Sequence, residues 1–158
     1  LAAGVDDEAC WVIATGVNDA ANAVAARDYG YDTTGEMETN IRTMVDLLDG
    51  YRVMWPTAAT GSPSNPYYDN SNMEEFNASL RKVAAEHRNV VVFDWAQEAR
   101  AHQDWFLAGD EVHYNADGND ERAKRFADAL ATAFPQGIDM ADVPMNAEVA
   151  SDGTRHEG

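Results

Sequence analysis

The chain has 158 residues, 45% of them hydrophobic, which suits one compact core rather than two. Eleven Lys+Arg face 28 Asp+Glu, a formal charge of -17 that repels phosphate backbones and anionic headgroups, so nucleic acid is excluded as a partner. No run of about eighteen apolar residues occurs, which excludes a transmembrane segment within this stretch.

Leu1 is not followed by a charged region and an apolar core, so no signal peptide is read, and the chain is expected to begin partway through a longer protein. Cys10 is the single cysteine, which excludes an internal disulfide framework and any CxxC metal or redox site. Beside Trp11 and Val12 it reads as a small buried hydrophobe, with a bridge to an upstream cysteine as the alternative in an exported parent protein.

The first apolar run, Trp11–Thr15 (WVIAT), is β-branched and aromatic, and reads as a buried parallel strand. Gly16-Val17-Asn18-Asp19 follows it directly. A glycine there permits a sharp turn, and the Asn18 side chain can aim an amide donor into a crevice at the strand's carboxyl end. Ordinary turn and cap roles for Asn18 and Asp19 are the bland alternative. Thr33 precedes Glu36 at capping-box spacing, and Met37, Ile41, Met44, Val45 and Leu48 continue at helical intervals to Gly50.

A second strand is predicted at Tyr51–Trp55 and a Pro/Gly/Ser/Asn-rich loop at Thr57–Asn70. Ser71 and Glu74 repeat the capping-box spacing ahead of a stripe of Met73, Phe76, Leu80, Val83 and Ala84. The third strand is Val90–Trp95 (VVVFDW). The last helix is predicted from Asp117 to Phe134, with Ala123, Phe126, Ala127, Leu130 and Phe134 on one face.

Strand–helix alternation specifies an α/β fold, a doubly wound parallel sheet covered on both faces. Three strands leave the first as an exposed apolar edge, so the sheet is expected to lack its first strands in this chain. Residues 1–135 are expected to form the C-terminal portion of one domain. Gln136–Gly158, without apolar periodicity, are expected as a flexible tail.

Asp110-Glu111-Val112-His113 precede the last helix. A carboxylate three residues ahead of an imidazole can accept its Nδ1 proton, freeing Nε2 as a general base. A surface histidine without a role is the alternative. His87, His102 and His156 read as solvated, and a metal site from Asp110, His113 and Asp117 matches no familiar spacing, so none is expected.

The pairing of Gly16-x-Asn18-Asp19 with Asp110-x-x-His113 resembles the SGNH (GDSL-type) hydrolase superfamily. Phe76-Asn77-Ala78-Ser79-Leu80, Asn89–Trp95, Trp105-Phe106, His113-Tyr114, Gly118 and Arg122-Ala123 carry the resemblance across roughly Ala9–Pro135. In detail the chain is similar to the actinobacterial branch, whose members stand alone in the envelope or end membrane acyltransferases.

The resemblance implies a three-layer α/β/α, flavodoxin-like fold without cofactor. It implies that Asn18 serves an oxyanion hole shaped by Gly16, that His113 activates a serine, and that Asp110 orients His113. The expected function is a serine ester hydrolase or O-acyltransferase working through an acyl-enzyme on an acyl or acetyl ester of a carbohydrate or lipid. An extracytoplasmic location and an upstream membrane domain in the parent protein are further expectations.

The family's Gly-Asp-Ser motif is absent. Ser62, Ser64, Ser71, Ser79 and Ser151 lie elsewhere, with Gly61-Ser62 the nearest imitation, so the nucleophile is expected upstream and this stretch alone is expected to be inactive. The alternative is a non-catalytic flavodoxin-like binding module, although Gly16-Val17-Asn18 lacks the glycine density of a phosphate loop.

Overall fold

The computed structural model describes residues 9–156. Three parallel strands form the centre: β1 (Cys10–Val12), β2 (Arg52–Pro56) and β3 (Val90–Phe93), adjacent in that order. Their side chains alternate between two cores, as the pleat requires. Val53, Trp55, Val90 and Val92 face one side, whereas Met54, Val91 and Phe93 face the other.

The first side is covered by α1 (Val17–Asp28), α2 (Glu36–Asp46) and α3 (Asn70–Ala84); the second by α4 (Trp95–Ala101) and α5 (Ala116–Ala133). The result is a three-layer α/β/α arrangement with a mostly parallel sheet. β1 pairs only with β2 among the described residues, and Val12 is 40% exposed. The apolar edge expected from the sequence is therefore present.

Local starts differ from the capping boxes that Thr33 and Ser71 predict. Gly35, at φ 71°, precedes α2 without a side-chain cap. Asp69 caps α3, its Oδ1 accepting from Ser71 N at 2.7 Å. Ser71 already lies inside α3, and its hydroxyl donates to the same Asp69 oxygen (2.6 Å) rather than accepting from the Glu74 backbone. Neither α1 nor α4 shows a stripe of large apolar residues: α1 buries only Ala20 and Ala21 fully, so periodicity hardly marks it.

The stretch from Gln136, expected as a flexible tail, instead packs on the sheet over its described part. β4 (Glu148–Val149) pairs parallel to β3, and β5 (Arg155–His156) pairs antiparallel to β4, giving five strands in all. Val143 and Val149 are fully buried. Arginines from elsewhere hold the segment: Arg52 Nη2 donates to the Ile138 carbonyl (2.9 Å), Arg88 Nη1 to that of Val143 (2.7 Å), and Arg81 pairs with Glu148 (2.7 Å).

Two-residue strands are too short to show alternation, and the arginines carry no signal within the segment they hold. Residues 1–8 and 157–158 of the two expected stretches lie outside the described residues. Deleting 136–158 should cost about 3 kcal/mol or more, since each buried valine contributes about 1.5–3 kcal/mol. Thermal unfolding of the truncated chain checks this, and an unchanged midpoint would restore the idle tail.

Candidate active site

The carboxyl ends of β1 and β2 form one rim of the sheet, and the polar clusters gather there. Gly16 sits at φ 136°, and a Cβ at that position would overlap the Phe76 ring, so the turn into α1 requires glycine on two grounds. Asn18 then falls in the first turn of α1, exposed to solvent. No side chain caps this helix start, so its free backbone N–H groups give the place a positive end. Asn18 Oδ1 accepts a hydrogen bond from Tyr68 Oη (3.1 Å), while its Nδ2 has no protein partner among the described residues.

The loop after β2 is pinned by two asparagines. Asn77, completely buried, accepts from Ala58 N (2.7 Å) and donates to Ala58 O (2.9 Å). Asn70 does the same for Thr60, at 3.1 and 2.9 Å. Thr60 Oγ1 donates to the Tyr68 carbonyl (2.8 Å), tying the ends of the loop together.

Beyond the loop lies the acid–imidazole turn. A bridge between Phe106 and Tyr114 closes it, and Glu111 takes a left-handed conformation, φ 58°. Asp110 Oδ1 accepts from the backbone N–H groups of Val112 (2.8 Å) and His113 (3.1 Å), while Oδ2 lies 2.7 Å from His113 Nδ1. The hydrogen bond from the His113 ring, followed by those two N–H groups, holds the Asp110 carboxyl below the usual carboxylate range. The ionised form is thereby favoured, and its support of the turn is lost only as pH falls through that lowered value. With Nδ1 engaged, Nε2 faces outward, and the His113 side chain is 74% exposed.

The two clusters meet through the loop. Tyr68 reaches Asn18 at one end, and Gly61 N donates to the Glu111 carbonyl (2.7 Å) at the other. A Cβ on Gly61 would overlap the Phe106 ring, which keeps this close approach to glycine. The loop thus links the turn of Gly16 and Asn18 to the turn of Asp110 and His113. Tyr68, Asn70, Asn77 and Thr60 were not anticipated in these roles. Their partners are 8 to 50 residues away, and the prior signs were the polar, aromatic composition of the loop and, for Asn77, its place in one of the stretches that carry the resemblance.

Other candidates settle elsewhere. Trp55, at the end of the second predicted strand, is 2% exposed and donates its indole N–H to the Thr15 carbonyl (3.1 Å), so it is core. His102, expected to be solvated, stacks on Trp105 with centroids 3.9 Å apart. No serine hydroxyl among the described residues hydrogen-bonds to His113: Ser62 Oγ accepts from Asn70 Nδ2 (3.4 Å), Ser71 donates to Asp69 and Ser79 to the Glu75 carbonyl. No cluster able to hold a metal occurs among the described residues. A cavity of about 360 Å³ opens between α1 and α2, with Asp19, Glu36, Asn22 and Asn40 on its walls and Trp55 and Phe76 in its lining.

No curated protein and no solved structure matches the chain. The family model described as the GDSL-like Lipase/Acylhydrolase family matches residues 3–121, from ahead of β1 through the Asp110–His113 turn into α5. A match over most of the length, taken with the order of the Asn18 and His113 clusters, settles the ancestry: the chain belongs to the GDSL-like Lipase/Acylhydrolase family.

Proposed function

We propose that the protein is a serine ester hydrolase or O-acyltransferase in which His113 is the general base, Asp110 its orienting carboxylate, and Asn18 an oxyanion donor beside Gly16. The observation that carries this reading is the His113 imidazole, hydrogen-bonded through Nδ1 to Asp110 at 2.7 Å with Nε2 open to solvent. In that tautomer Nε2 can take the proton of a serine hydroxyl as its oxygen attacks an ester carbonyl, and later return it to the leaving alcohol. The ionised Asp110 stabilises the imidazolium formed between these steps. The unpartnered Nδ2 of Asn18, at the positive end of α1, supports stabilisation of the oxyanion.

On this reading the serine comes from an upstream Gly-Asp-Ser motif, which these 158 residues lack, and the chain by itself is inactive. The substrate is a neutral acyl or acetyl ester of a carbohydrate or lipid: carboxylates at Asp19 and Glu36 and the charge of -17 disfavour anionic esters. Water or a glycan hydroxyl accepts the acyl group, and the protein works outside the cytoplasm.

Rapid mixing of the full-length protein with p-nitrophenyl acetate tests the reading. A burst of nitrophenol is expected, with one acetylated serine found by peptide mass spectrometry in a Gly-Asp-Ser context. Absence of both burst and acyl-serine would favour a binding module instead.

A further inference from the structure

Tyr68 occupies a place in the site that its sequence context does not announce. Its hydroxyl is the only protein partner of the Asn18 side chain among the described residues, donating to Oδ1 at 3.1 Å. A side-chain amide is a two-faced group, and rotation by half a turn exchanges its acceptor with its donor. An exposed Asn18 without a fixed partner would present the wrong face part of the time. A donor bonded to Oδ1 removes that freedom and leaves Nδ2 directed away from the phenol.

The phenol can hold the amide because it is itself held. Tyr68 lies in a 3₁₀ turn, Pro66–Tyr68, whose start is capped by Asn65 Oδ1 accepting from Tyr67 N (3.1 Å). Tyr68 N donates to the Asn65 carbonyl (3.0 Å), and the Tyr68 carbonyl accepts from the buried Thr60 hydroxyl (2.8 Å). Asn72 Nδ2 donates to the neighbouring carbonyls of Pro66 and Tyr67, at 2.9 and 3.1 Å. Every bond fixes the backbone that carries the ring, so the hydroxyl arrives at Asn18 already placed. Oxyanion donors act through such fixed orientation, because reorientation during the reaction would be charged against the transition state.

We infer that Tyr68 is a positioning residue that sets the amide of Asn18 with Nδ2 toward the reacting carbonyl. This rests on the reading of Asn18 as an oxyanion donor. Tyr68→Phe keeps the ring and removes only the hydroxyl.

In the full-length protein assayed on p-nitrophenyl acetate, Tyr68→Phe should lower kcat about fivefold, the scale of one lost hydrogen bond, with KM nearly unchanged. Added to Asn18→Ala, it should cause no further loss, because the amide it orients is gone. An unchanged kcat in Tyr68→Phe, beside a lowered kcat in Asn18→Ala, overturns this inference alone. An equal loss from Tyr68→Phe in both backgrounds also overturns it, since damage to the loop would act regardless of Asn18. An unchanged kcat in Asn18→Ala instead removes the functional reading, and this inference with it.

Discussion

Replacing His113 by alanine in the full-length protein should reduce hydrolysis of p-nitrophenyl acetate by roughly 10⁵-fold or more, the scale seen when the base of a serine triad is removed. The expectation follows from proton accounting. A serine hydroxyl is a poor nucleophile until its proton has somewhere to go, and Nε2 of His113 is the open acceptor on this rim. The imidazole is 74% exposed, so its removal leaves no void in either core, and the thermal midpoint should stay where it was. Activity loss is thereby separated from misfolding.

Asp110→Asn should cost less, about 10³- to 10⁴-fold. The asparagine retains Oδ1 for the Val112 and His113 amides, but its NH₂ now faces Nδ1 and favours the tautomer with the proton on Nε2. Turnover within twofold of the parent in His113→Ala would remove the base assignment. A loss in Asp110→Asn equal to that in His113→Ala would contradict the division of labour.

The second large effect is expected at Asn18. Asn18→Ala should lower kcat by about 10²- to 10³-fold while KM changes little, since an oxyanion exists only once the carbonyl has been attacked. The position is well suited to the experiment. Asn18 is exposed in the first turn of α1, and alanine is a good helix former there, so little stability is lost beyond the solvent-exposed bond from Tyr68. Steady-state kinetics separates the two constants, and a change confined to KM would assign Asn18 to ground-state binding instead.

How much of this could be read beforehand depended on the distance over which each interaction acts. The Asp110–His113 bond was legible because both partners sit on one turn, three residues apart, and the chemistry of the pair dictates the contact. Two of the three central strands were legible because Val53–Trp55 and Val90–Phe93 are buried on both faces and therefore apolar throughout, whereas β1, a half-exposed edge, ends at Val12, short of the predicted Thr15. The hold of Tyr68 on Asn18 spans 50 residues, and that of Asn77 on the Ala58 backbone spans 19. Neither leaves a periodic trace, because a single polar side chain meeting a loop has no period. The docking of the last segment depends on Arg52, Arg81 and Arg88, residues whose charge reads as solvated surface until their partners are known.

The stretch between β2 and α3 touches the amide-bearing helix through Tyr68 and the imidazole-bearing turn through Gly61. A change in its length therefore bears on both contacts at once. Under the roles proposed for Asn18 and His113, a single insertion in this stretch would disturb both ends of the rim together.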